Sequence, residues 1–144
     1  MKMYLFSAVL LGLTVMSCSA QDLKKSDVPE QVQTACAKKF PESGHAKISW
    51  EKEKGNYEAN WGGRSGEDNS AQFTPSGVFI EIVKAIPVNQ LPAGVAQYVQ
   101  ANEHGAKIKE AGLVTDAKGV VTYEAEIKGK DLIFDQTGKF IKVD

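Results

Sequence analysis

The chain has 144 residues, with 17 basic and 18 acidic side chains and a net charge near −1. A charge so close to neutral argues against nucleic acid as a partner, because phosphate binding needs a surplus of Lys and Arg. A hydrophobic fraction of 42% with 24% charged residues excludes intrinsic disorder and fits one compact domain or two very small ones.

Met1-Lys2-Met3 is a short positive start, and Tyr4 to Met16 is an almost unbroken apolar run. Ser17-Cys18-Ser19-Ala20 then supplies small residues before the polar Gln21-Asp22-Leu23-Lys24-Lys25. Charged start, apolar middle and small-residue exit form a signal peptide over 1–20. The apolar run is too short to span a bilayer comfortably, so the mature chain carries no transmembrane segment by this reading. Cleavage after Ala20 leaves 16 basic against 18 acidic residues, in the periplasm or outside the cell. Lipidation at Cys18 is the alternative exit, disfavoured by Met16. Cleavage also leaves Cys36 as the one cysteine, on the apolar face of a predicted helix, where it reads as a small buried hydrophobe.

Residues 21–27 read as a linker. Beyond them the chain resembles itself. Val28-Pro29-Glu30-Gln31-Val32 matches Leu91-Pro92-Ala93-Gly94-Val95, and His45-Ala46-Lys47-Ile48 matches Gly105-Ala106-Lys107-Ile108. Asn56-Tyr57-Glu58-Ala59-Asn60-Trp61 matches Thr122-Tyr123-Glu124-Ala125-Glu126-Ile127, and Gln72 to Ile80 matches Ile133 to Ile141. The offsets are 63, 60, 66 and 61, in the same order along the chain, which predicts two copies of one unit, 28–86 and 87–144.

Each copy opens with a helix. Val28, Val32, Ala35, Cys36 and Phe40 share one helical face; Leu91, Val95, Tyr98, Val99 and Asn102 approximate the same template. Pro29 and Pro92 fit the first turn, with Ser26 or Asp27, and Asn89, as candidate caps. Strand-like segments follow at 46–51, 56–61, 71–74 and 78–83, then at 107–115, 120–127, 131–134 and 139–143, each separated by Gly-bearing turns. In 121–127, apolar Val121, Tyr123, Ala125 and Ile127 alternate with Thr122, Glu124 and Glu126, which describes a sheet with one packed and one wet face. The fold class expected is α+β: two tandem repeats, each one helix followed by a four-stranded antiparallel β-meander, with both helices on one sheet face. The uncovered face, with Glu58, Asn60, Glu124 and Glu126 and with Trp50 as an exposed aromatic, is the candidate binding surface. Tyr57 and Trp61, by contrast, alternate onto the core side with Ala59.

No catalytic set is readable. Asp135-Gln136-Thr137-Gly138 reads as a hairpin turn, and His45 and His104 as loop residues outside any dense ligand cluster. The loop Gly62–Ser70 lacks the Gly-Lys-Ser/Thr ending of a phosphate-binding loop. It reads as a hairpin tip, with Glu67-Asp68-Asn69 as a weak calcium alternative. No cofactor is expected.

At Leu91-Pro92, Ala106-Lys107-Ile108, Tyr123-Glu124-Ala125-Glu126-Ile127, Asp131-Leu132-Ile133-Phe134-Asp135 and Gly138-Lys139-Phe140 the chain resembles the PepSY-like, beta-lactamase-inhibitor-like family of exported bacterial proteins. The first copy carries the likeness through Trp50-Glu51-Lys52-Glu53 and Asn56-Tyr57-Glu58-Ala59. The resemblance implies paired helix-plus-sheet modules similar to beta-lactamase inhibitory protein, an envelope or secreted location in a Bacteroidetes-type bacterium, and no catalytic residues. It points to a non-catalytic exported module that binds a protein or peptide of the envelope, with inhibition of an envelope or secreted enzyme as one form of that role; the open sheet face is the expected binding surface, and a monomer is expected. A small-ligand or ion-binding envelope module is the alternative.

Overall fold

A computed structural model describes residues 21–144. The signal peptide expected over 1–20 and the lipidation alternative at Cys18 lie outside the described residues. Among the described residues the chain forms two ten-residue α-helices, α1 (Glu30–Lys39) and α2 (Ala93–Asn102), and nine strands. The first four strands after α1 are β2 (Ser49–Glu53), β3 (Asn56–Trp61), β4 (Asn69–Phe73) and β5 (Phe79–Ile86). After α2 come β6 (Glu110–Asp116), β7 (Val121–Ile127), β8 (Lys130–Phe134) and β9 (Phe140–Val143). All belong to one antiparallel sheet in which spatial order equals chain order.

Residues 21–27, expected as a linker, carry regular secondary structure. Gln21–Leu23 forms an edge strand, β1, paired with β2, and Lys25–Asp27 is a turn of 3-10 helix. The pairing gives the outer edge of β2 backbone partners, and Leu23 packs on the first core. The helix caps also differ from expectation. Pro29 and Pro92 themselves hold the cap positions, and no side chain caps either helix. Their backbone angles, φ −55° with extended ψ, aim the chain into the helix. Phe40 then ends α1, where Pro41 forbids another residue of regular helix, and α2 ends at Glu103 before the left-handed pair His104 and Gly105.

Both helices lie on the same sheet face, each over its own core. Under α1, Val32 and Cys36 meet Trp50, Ala59, Trp61, Ala71 and Phe73. Under α2, Val95 and Val99 meet Ala125, Ile127, Leu132 and Phe134. Aromatic rings close each cluster at matching places. Phe73 and Phe79 lie edge to face at 5.7 Å, and Phe134 and Phe140 at 5.8 Å. Both hairpins carry a register shift at the first Phe of the pair. Trp50, expected to be exposed on the open face, is buried beneath α1 at 4% exposure. Its partner across β3 is Ala59, a core residue, so strand alternation turns its ring inward.

The β8–β9 turn presses on α2 so closely that a Cβ on Gly94 would stand 2.7 Å from the Gly138 carbonyl oxygen. Two predictions follow from the cores. Gly94→Ala lowers unfolding free energy by about 1–3 kcal/mol in urea titration, because backbone rather than a side chain blocks the new methyl. Trp50→Ala costs about 3–5 kcal/mol in the same measurement, the loss of a core aromatic; a cost within experimental error would return Trp50 to the surface.

Candidate functional site

The sheet face opposite the helices has no covering element among the described residues. Its side chains follow from the register. Glu51 on β2 faces Glu58 on β3, Glu58 faces Gln72 on β4, Gln72 faces Glu81 on β5, and Glu81 faces Asp116 on β6. On the second half, Glu110 faces Glu126 and Glu126 faces Asp131. Strand alternation therefore turns a carboxylate ladder to the side away from the cores.

The face is concave. Residues from β2 through β8, with Asp144 after β9, line one groove of about 880 Å³. Lys54 Nζ, in the β2–β3 turn, lies 3.5 Å from Asp144 Oδ1, so the sheet curls until strands near its opposite ends meet. Eleven carboxylates and three lysines line this groove. Two of those lysines are engaged with acids at its edge: Lys54 with Asp144, and Lys109 with Glu126 at 4.0 Å. The third, Lys130, pairs with Glu103 at the end of α2, with both carboxylate oxygens within 3.0 Å.

Such crowding resists ionisation. Burial, then the charges of Asp131, Glu81, Asp144 and Glu58, push the Glu124 carboxyl up to about 7. Burial and neighbouring carboxylates also raise Glu51, Glu53, Glu81 and Asp131. Asp144 goes the other way: burial works against its ionisation, but Lys142 and Lys54 together carry it below the ordinary value.

Glu58, Glu124 and Glu126 line the groove. Asn60 lines it too, but as a buried floor residue whose amide oxygen accepts from the Ser70 hydroxyl. Glu58 accepts from Gln72 Nε2 at 3.0 Å. Trp50 is not on this face. Sequence reasoning missed Glu51, Glu53, Glu81, Glu110, Asp131 and Asp144, all on the groove. The alternation Ser49, Glu51, Glu53 against Ile48 and Trp50 was the available signal for the first two.

The loop expected over Gly62–Ser70 ends at Asp68, where β4 begins, and forms one rim, contributing Ser65, Glu67 and Asp68. Asn69 Nδ2 donates to the Trp61 carbonyl at 3.3 Å, and Ala85 N–H to the Asp68 carbonyl at 2.9 Å, which fastens the loop to β3 and β5. Among the described residues no group of three or more His, Cys, Asp and Glu is arranged to hold a metal ion. His45 and His104 are exposed, beyond the ends of the two helices. Cys36 is a free, buried thiol, 4.0 Å from the Ser43 hydroxyl, and burial pushes its pKa up, away from nucleophilic use. It borders a smaller pocket of about 230 Å³ with Ser43, Ile48 and Trp50. No helix among the described residues is long and apolar enough to cross a membrane.

Glu124 links stability to pH. Its folded-state pKa lies above the ordinary 4.5, so the folded protein holds the proton more tightly than the unfolded chain. The stabilisation is complete below about pH 4.5 and is lost as pH rises through about 7, on the order of 3 kcal/mol in all. Melting temperature is therefore higher near pH 5 than near pH 8, and Glu124→Gln flattens the slope. A slope unchanged in that variant contradicts the assignment.

The family model described as "Putative beta-lactamase-inhibitor-like, PepSY-like" matches the chain twice, over residues 14–64 and 63–142. No curated protein matches the chain. Among solved structures, a protein from Bacteroides eggerthii described as a putative periplasmic protein superposes with TM-score 0.64 at 18% identity, covering 81% of this chain and 88% of its own. A DUF2874 family protein from Bacteroides ovatus gives TM-score 0.61 at 18% identity, over 81% of this chain and 86% of that one. A BLIP-like protein from Bacteroides fragilis gives 0.56 at 16%, over 81% and 84%. At these identities the structures show a shared fold. The two family-model matches together cover most of the sequence, and the chain belongs to the PepSY-like, beta-lactamase-inhibitor-like family.

Proposed function

We propose that this protein is a non-catalytic, exported module, built as two tandem units over 28–86 and 87–144, that binds a protein or peptide of the bacterial envelope in its concave sheet face. The observation that carries this reading is the asymmetry of the sheet. Two helices cover one side, while the other is an open groove lined by residues of both halves. A groove of that size built on rigid strands suits an inserted loop or extended segment, and open clefts are where ligands are held. Support for a periplasmic or secreted location comes from the signal-like first 20 residues and from the description of the Bacteroides eggerthii neighbour. Support for a non-catalytic role comes from the raised pKa of the single thiol in 21–144 and from the family itself. Inhibition of an envelope or secreted enzyme is one form this binding would take.

Capture from envelope extract with immobilised 21–144 tests the reading. Glu58→Lys and Glu126→Lys lose the captured protein, by about tenfold or more for contacts inside the groove, whereas Lys38→Glu on α1 retains it. Equal capture by all three variants overturns the assignment to the sheet face.

A further inference from the structure

We infer that the occupant of the groove is a cationic protein segment, carrying lysine or arginine on successive outward positions. This rests on the reading of the groove as a protein-binding face and names the chemistry of the partner. Three observations carry it. First, charge is segregated: eleven carboxylates against three lysines line the groove, in a chain whose total is one charge from neutral. Acidic composition is thus a property of this face and not of the molecule. Second, the register sets like charges directly opposite each other, Glu51 with Glu58, Glu110 with Glu126, and Glu126 with Asp131. Opposed like charges destabilise a sheet, and a folding scaffold has no use for them. Third, the lysines that reach the groove sit at its margins: Lys54 and Lys109 on turn and loop positions, and Lys130 turned to Glu103 beside α2.

An occupant bringing positive charge into a concave, partly desolvated face relieves that repulsion and gains interactions stronger than those on an open surface. A cationic segment therefore complements the groove, whereas an acidic one adds to the existing repulsion. The basic side chains of such a segment would reach the opposed pairs on both halves of the sheet, which makes length and spacing part of recognition.

The test is a titration of isotope-labelled 21–144 with a short synthetic peptide of alternating lysine and serine, followed by amide chemical shifts near pH 7.5. The glutamate–serine counterpart and calcium chloride alone serve as parallel arms. The expected result is perturbation of β2, β3, β7 and β8 amides by the lysine peptide only. Affinity should weaken about tenfold between about 50 and about 300 mM salt, and about tenfold again in Glu58→Gln/Glu126→Gln. That double variant keeps the side-chain shapes and melts no lower than the parent, because it removes repulsion, so lost binding is not lost folding. Absence of binding by the lysine peptide, equal binding of the glutamate peptide, or movement of the same amides by calcium alone overturns the inference. If the capture experiment still identifies a face-dependent partner in that event, the binding face stands and only the cationic chemistry falls. Perturbation confined to the helix side overturns both.

Discussion

The pairing of β5 with β6 is the constraint on which the rest of the molecule depends. Six residue pairs, from Glu81 opposite Asp116 to Ile86 opposite Ala111, join the last strand before α2 to the first strand after it. Without that ladder each half would be a helix on a short sheet with two exposed edges, at a size where a single core is marginal. With it, the two helix-covered cores lie under one sheet, and the opposite faces merge into one surface. Residues at the seam are fitted to this closeness: a Cβ on Gly112, in the middle of β6, would stand 2.6 Å from Val83 Cγ1 on β5.

The same continuity creates the electrostatics. A strand residue's neighbours are fixed by register, so carboxylates contributed by separate hairpins come to face one another whether or not the pairing is favourable. Curling brings still more distant acids together, and Asp144 acts on Glu124 and Glu81 from the far edge. The raised pKa values reflect burial first and neighbouring carboxylates second, in groups held together by a fold whose apolar cores lie on its other side. That division of labour, apolar cores beneath the helices and crowded charge above, is what leaves the face open and acidic.

Much of this was legible in the sequence. Gly-bearing turns and period-two alternation placed eight strands to within a few residues, and the apolar spacing of Val32, Cys36, Val95 and Val99 placed both helix faces. Glu58, Glu124 and Glu126 were legible as open-face residues because they alternate with Tyr57, Ala59, Ala125 and Ile127. Other features were not. The edge strand Gln21–Leu23 has neither a turn signal nor an apolar pattern of its own and exists through pairing with β2. Trp50 was misplaced because a tryptophan on a strand suits a core and an interface equally, and only its register with Ala59 decides. Curvature left no local mark either: nothing in Lys54 or Asp144 announces that residues ninety positions apart will meet.

Amide hydrogen exchange on 21–144, read residue by residue, tests the central claim most directly. If one sheet runs through both halves, the paired amides of β5 and β6 are among the slowest to exchange and open together with the strands of both cores. Rapid exchange along β5 and β6, with β3–β4 and β7–β8 protected separately, would mean two independent units and no shared groove.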